Sequence, residues 1–195
     1  MALVIVSYYQ YKTKVIYVFI GGNTINMKIE LIEYMRDYED ETVKRIADFF
    51  GFHANLISGD KNLNDENYKQ AKSTLNNWLN RDNRVYVISF MGNIVGFVHI
   101  GFRGDNVAWI EEIYVDNEYR GRGIATEAIH QVEIIIKNNP NYTAVCLDVS
   151  PRNINALKLY HKLGYDNISI ITLRKEFYNN QRDVKISILG LEFNQ

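Results

Sequence analysis

A strand that stops at Val115 and a helix that opens near Gly123 are joined by Asp116-Asn-Glu-Tyr-Arg-Gly-Arg-Gly123. This junction carries the strongest structural signal in the chain. Glycines let backbone N–H groups approach a ligand closely, and a helix start carries partial positive charge. Gly121 and Gly123, flanking Arg122 and followed by Ile124-Ala-Thr126, therefore form a seat for a phosphate or pyrophosphate.

The segments around the junction follow from hydrophobic period and turn residues. Lys28–Tyr34 alternates as a strand. Asp40–Phe50 reads as a helix with Val43, Ile46, Ala47 and Phe50 on one face, ending at Gly51. Asn64 caps a second helix to about Leu79, with Leu75, Trp78 and Leu79 turned inward. Val85–Phe90 and Ile94–Phe102 form a hairpin through Met91-Gly-Asn93, and Ala108–Val115 continues the meander. The helix from Gly123 to Lys137 stops at Asn138-Asn-Pro140 and leads to a buried strand, Thr143–Val149. A helix over Asn153–Leu163, closed by Gly164, precedes two last strands, Tyr165–Leu173 and Val184–Leu191. Strands 108–115 and 143–149 are separated by a helix and so pair in parallel. The expected fold is an α/β domain over residues 27–195. Its mixed sheet is mostly antiparallel, with a central parallel βαβ crossover and flanking helices.

Bulk properties narrow the partners. The 195 residues carry a net charge of −1, which indicates neither nucleic acid nor an anionic membrane as a partner. The only cysteine, Cys146, sits in an apolar run and is expected to be a buried structural thiol. Residues 1–26 behave differently. Ala2–Val6 and Val15–Ile20 are apolar but interrupted by Lys12 and Lys14, too short for a membrane span and ordered unlike a signal peptide. Gly21-Gly22 fits codons resembling a bacterial ribosome-binding sequence four codons before Met27, so Met27 is a candidate start and 1–26 an extension of unclear status. A bacterial, cytoplasmic protein is the expectation, and assembly as a homodimer stays open.

A dinucleotide fold is the competing reading, because Gly121-Arg-Gly123 matches part of its fingerprint and Asp148 stands where a ribose-binding acid would lie. Two features weigh against it. Five residues, Asp116 to Arg120, separate the strand from the glycines, and an antiparallel meander precedes the motif.

Arg120-Gly-Arg-Gly123-Ile-Ala125 fits the pattern Gln/Arg-x-x-Gly-x-Gly/Ala, and Asn153-Ile-Asn-Ala156-Leu-Lys-Leu159-Tyr160-His-Lys-Leu-Gly164-Tyr165 fits Asn-x-x-Ala-x-x-Leu-Tyr-x-x-x-Gly-Phe/Tyr. In both motifs and their order the chain resembles the GNAT superfamily of acetyl-CoA-dependent N-acetyltransferases, over about Lys28 to Leu191. It departs at Asn117, where many members have proline, and over residues 1–26. The resemblance implies acetyl-CoA as acetyl donor, with no metal. It also implies a pyrophosphate loop made by Arg120, Gly121, Arg122, Gly123, Ile124, Ala125 and Thr126. The backbone of Ile113 and Val115 would pair with the pantetheine arm, Asn153 would face the cofactor, and the Tyr160 hydroxyl would lie near the sulfur.

The implied reaction is direct attack of an amine on the thioester. A lysine-like amine with pKa near ~10.4 costs roughly 4.6 kcal/mol to present neutral at pH 7. Glu111 and Glu112 are the candidate bases; as neighbours on a strand they are expected to point to opposite faces, leaving at most one toward the substrate. Tyr160 is the candidate proton donor to the departing thiolate. The acidic group Asp37, Glu39, Asp40 and Glu41 is assigned to the first helix's N-terminus ahead of a cationic substrate. His53, His99, His130 and His161 lack metal-ligand spacing and read as ordinary surface or core residues. Phe49, Phe52, Tyr68, Trp78, Trp109, Phe177 and Tyr178 either line an acceptor pocket or pack. The acceptor is expected to be a small-molecule amine, of aminoglycoside type among others. A protein N-terminus or lysine is the alternative, and a non-catalytic acyl-CoA-binding module is the reading from another class.

Overall fold

The computed structural model describes residues 4–10, 13–20, 23–58, 65–80, 83–104, 106–175, 177 and 184–194. The chain divides into two units, Met1–Asp148 and Val149–Gln195. The first holds a seven-stranded sheet in sequential order: β1 (Val4–Gln10), β2 (Thr13–Ile20), β3 (Asn23–Glu33), β4 (Arg84–Phe90), β5 (Asn93–Gly101), β6 (Val107–Val115) and β7 (Ala144–Leu147). All neighbours pair antiparallel except β6 and β7, the parallel pair joined by helix α3 (Ile124–Lys137). The sequence places a strand start at Lys28; β3 begins at Asn23 instead, and β1 and β2 extend the sheet from it antiparallel, through pairs such as Ile16 with Met27.

Helices α1 (Glu39–Ser58) and α2 (Asp65–Leu79) cover one sheet face. Val43, Ile46 and Ala47 of α1 meet Ala71, Leu75 and Trp78 of α2 over Val85, Phe97 and Tyr114. Gly51 does not end α1 as expected. A mid-helix glycine costs only about 1 kcal/mol, which the apolar face preceding it outweighs. Leu79 is 40% exposed, a correction to its inward assignment, because the helix ends there. The expected cap Asn64 lies outside the described residues. By strand alternation Val98, Ile100 and Ile110 bury on the opposite face, and α3 packs on β3 and β6 with Ile124, Ala128 and Val132 buried. Strand β7 is half-buried rather than fully buried, and Cys146 with it, because β7 is the last strand of this sheet.

Gln131 of α3 continues a ladder that β2 leaves unfinished. β2 pairs with β3 only as far as Ile29, and beyond it the Gln131 side chain substitutes for a strand. Its Nε2 donates to Ile29 O (3.1 Å) and its Oε1 accepts from Leu31 N (2.9 Å). Gln131→Leu keeps the volume but leaves both backbone groups unpaired. It is expected to lower unfolding free energy by about 2–4 kcal/mol, read from the urea midpoint.

The second unit contains helix α4 (Ile154–Lys162) and a hairpin of β8 (Lys185–Ile188) and β9 (Leu191–Asn194). Two expectations fail here. Val184–Leu191 is not one strand, because Leu189 and Gly190, at φ 53° and 80°, reverse the chain inside it. Residues 165–173 form no ladder, and Ile168 and Ile170 are 82% and 75% exposed. Alternating β-branched residues favour a strand only where a partner ladder forms, and none is made there among the described residues. No helix among the described residues is long and apolar enough to cross a membrane.

Candidate active site

The junction after β6 has the geometry expected from its residues. Asn117–Tyr119 forms one 3-10 turn, and Gly121 and Gly123 both take left-handed backbone, at φ 76° and 77°. Gly123 caps α3, and the first helical bond closes from Glu127 N to Gly123 O at 3.0 Å. The N–H groups before Glu127 therefore point out of the helix end without an intrahelical acceptor. A Cβ at either glycine would meet nothing within 4 Å, so the space above the seat is open. These are the properties a pyrophosphate requires: exposed amides, positive helix dipole and room for the anion.

The two arginines of the loop are anchored to protein. Arg120 Nε donates to Val115 O (2.9 Å), and its guanidinium lies over Phe52 (4.7 Å) and Tyr114 (5.4 Å). Arg122 donates to Glu118 O (3.1 Å) and lies 5.4 Å from the Tyr119 ring centre. Both brace the turn while keeping positive charge beside the seat. Behind it, Arg45 of α1 reaches Ile94 O, Glu41 and Asp116 (2.9 Å to the last), tying the loop's first residue to the helix layer. Burial pushes the Asp116 carboxyl above its usual range, and Arg45 opposes that rise.

Strands β6 and β7 part company at a defined point. Their parallel pairing runs from Val107 with Ala144 to Ile110 with Leu147 and stops. On that side of β6, residues 111–115 have no strand partner among the described residues, while on the other side Ile113 faces Val98 and Val115 faces Gly96. Glu111 and Asp148, the first residues past the last pair, are held together by Arg103. Its Nε donates to both Glu111 oxygens (2.9 and 3.0 Å), a further bond runs from Nη2, and Nη1 donates to Asp148 (3.1 Å). The hydrogen bonds donated to Glu111 hold the Arg103 guanidinium protonated well above its ordinary range, and its Cζ lies 4.2 Å from the centre of the Trp109 ring.

The register of β5 and β6 shifts between His99 and Ile100, so Glu111 is the extra residue of a bulge. This corrects the expectation that Glu111 and Glu112 face opposite ways, since a bulge breaks strict alternation. Both carboxylates line one cavity of about 540 Å³, together with Trp78, Asn83, His99, Phe102 and Arg103. Gly101 makes room for this: a Cβ there would lie 2.1 Å from a Glu111 oxygen. Glu112 bonds His99 Nδ1 at 2.5 Å, and the imidazole stacks on Trp78 at 4.1 Å.

His99 is the residue sequence reading missed, taken for an ordinary histidine. The signal was present in the alternation Phe97, His99, Gly101 on the strand opposite Glu112. Of the other histidines, His53 meets Phe49 O (3.2 Å) and His130 meets Glu133 (3.1 Å). Of the aromatic candidates, Phe49 and Trp78 pack in the core, Tyr68 is exposed, and Tyr178 lies outside the described residues. Glu39, Asp40 and Glu41 occupy the first turn of α1, with Glu39 also paired to Lys72 (2.6 Å).

In the second unit, Asn153 caps α4, its side chain accepting from Ala156 N at 3.2 Å. Tyr160 packs edge-on to Tyr165 with ring centres 6.0 Å apart. Burial pushes its hydroxyl above the ordinary tyrosine range, so it is protonated through neutral pH.

The sequence profile described as "Acetyltransferase (GNAT) family" matches residues 32–165. The chain is 33% identical over 88 residues to an N-acetylaspartate synthetase of Xenopus tropicalis, covering 44% of this chain and 32% of that protein. It is 26% identical over 66 residues to an aminoglycoside N(6')-acetyltransferase type 1 of Klebsiella pneumoniae, covering 34% and 33%. The matches thus span about a third of the length of these curated relatives. Among solved structures, a possible acetyltransferase from Clostridium difficile 630 superimposes with a TM-score of 0.58 at 26% identity, covering 77% of this chain and 99% of that one.

Proposed function

The chain belongs to the acetyltransferase (GNAT) family, and on that premise we propose that it transfers an acetyl group from acetyl-CoA to the primary amine of a small molecule. The amine attacks the thioester directly while both substrates are bound. The observation that carries this reading is the pair of openings at the two ends of residues 111–115. One is the left-handed glycine seat at the start of α3, and the other is the cavity lined by Glu111 and Glu112.

The amides of Gly121 to Thr126 take the pyrophosphate, with Arg120 and Arg122 supplying nearby positive charge. The side of β6 without a strand partner takes the pantetheine amides at Ile113 and Val115 as an added strand would, the Val115 carbonyl being shared with Arg120. Asn153 and Tyr160 keep the roles that the family resemblance gives them, Tyr160 returning a proton to the departing sulfur. A cavity near 540 Å³ lined by Glu111, Glu112 and His99 matches a small amine acceptor in size. An aminoglycoside-like amine fits that description, and the likeness to the Klebsiella pneumoniae enzyme supports it. No metal has a role in this chemistry.

The test is thiol release from acetyl-CoA by purified protein against aminoglycosides, linear polyamines, amino acids and peptides with free N-terminal or lysine amines. Release with small amines supports the proposal. Release with peptides alone makes the protein a protein acetyltransferase. Binding of acetyl-CoA without release from any amine makes it a non-catalytic acyl-CoA-binding module.

A further inference from the structure

We infer that His99, and neither glutamate, takes the proton from the attacking amine, with Glu112 holding its imidazole in position. The inference rests on the acetyl-transfer reading above and assigns the chemistry of that same cavity.

Three observations converge on His99. It lines the cavity yet is only 3% exposed. Its Nδ1 is committed to Glu112 Oε2 at 2.5 Å, and Trp78 stacked at 4.1 Å fixes the ring plane. Its Nε2 is buried without a hydrogen-bond partner. With a carboxylate accepting at Nδ1, the proton of neutral imidazole resides there and Nε2 carries the lone pair. A buried acceptor left empty is unfavourable, and a bound ammonium donor satisfies it. The arrangement is that of a base oriented by a third group.

The glutamates are otherwise engaged. Glu111 gives both oxygens to Arg103, which also holds Asp148, so its charge is already compensated. Glu112 is bound to the imidazole. The groups facing His99 are Glu112 from β6, Trp78 from α2, and Glu111, Arg103 and Asn83 around the cavity; its partner on β4, Val85, is apolar.

In the step, the ammonium passes one proton to His99 Nε2. The freed nitrogen lone pair forms the C–N bond to the thioester carbonyl. The tetrahedral adduct then collapses, the C–S electron pair leaves on sulfur, and the sulfur takes up one proton as the nitrogen loses its second. Ammonium and thioester become amide, thiol and one proton, which His99 passes to solvent.

The experiment compares wild type, His99→Gln, Glu112→Gln and Glu111→Gln in thiol release with kanamycin and spermidine across pH, alongside ¹⁵N NMR of the histidine rings. The expected result is a loss of about 10²–10⁴ in kcat/KM for His99→Gln, with the acid limb of the pH profile gone. Glu112→Gln is expected to keep that limb while lowering kcat/KM less than His99→Gln does. The NMR spectrum is expected to show Nε2 unprotonated in wild type and Nδ1 protonated. Retained coenzyme affinity and circular dichroism confirm that the variants fold. An acid limb that survives in His99→Gln but disappears in Glu111→Gln or Glu112→Gln overturns the inference while leaving acetyl transfer intact. Wild-type protein that releases no thiol with any amine overturns the underlying reading, and the inference with it.

Discussion

Gly123→Asp is expected to weaken coenzyme A binding by about 10²–10³-fold, whereas Gly123→Asn costs less than about tenfold. The residue sits at φ 77° and ψ 5°, a left-handed conformation that asparagine and aspartate tolerate better than other side chains. Neither substituent meets a protein atom, because the space beside Gly123 is open. The two variants therefore carry similar backbone strain and differ in one charge. A carboxylate at roughly 4–6 Å from a pyrophosphate oxygen, at an effective dielectric of about 20, costs roughly 3–4 kcal/mol. The same carboxylate favours the free protein, because it lies at the positive end of α3. Going from Gly123→Asn to Gly123→Asp, affinity in calorimetric titration with coenzyme A and the midpoint of thermal unfolding should thus move in opposite directions. Equal losses of affinity in the two variants would mean that no anion occupies this helix end.

Tyr160→Phe carries the second large effect. Removing the hydroxyl is expected to lower the rate of thiol release by about 10²–10³-fold, while affinity for coenzyme A changes less than about tenfold. The sign of the pH dependence follows from burial, which raises the hydroxyl above 10.0. A proton donor must be protonated, so wild-type activity holds through neutral and mildly alkaline pH and is lost as pH rises through the raised value. The Phe variant lacks that alkaline limb. Stability has the same sign: a tyrosine whose folded pKa is raised contributes stability fully present below 10.0 and lost as pH climbs through the folded value. An unchanged kcat in Tyr160→Phe would leave Tyr160 a packing residue beside Tyr165.

Most of the fold was legible because it depends on local period. The alternation of Val85–Phe90 and Ile94–Phe102, and the helical stripe of Ile124, Ala128 and Val132, each announce a buried face within one element. The glycine seat was legible for the same reason: its backbone needs are local to Gly121 and Gly123. What escaped depends on partners. The bulge that turns Glu111 and Glu112 into one cavity belongs to the register between β5 and β6, and strand alternation alone points them apart. The Arg103 clip joins residues 45 positions apart at the fork of β6 and β7, and only the stopping point of the ladder at Ile110 and Leu147 reveals its purpose. His99 becomes distinctive only when its two nitrogens are seen to differ, one bonded to Glu112 and one empty. The segment 165–173 fails the other way: its alternation promised a strand, but a strand is a property of a pair.

The glycine seat and the cavity at Glu111 and Glu112 are proposed to serve one acetyl transfer. This is tested most directly by mass spectrometry of the amine and a thiol assay on the same reaction, with acetyl-CoA limiting. One acetylated amine is expected for each thiol released, with both signals lost together in Gly123→Asp at low coenzyme concentration. Thiol appearing without acetylated amine, or coenzyme bound with neither product formed, would contradict it.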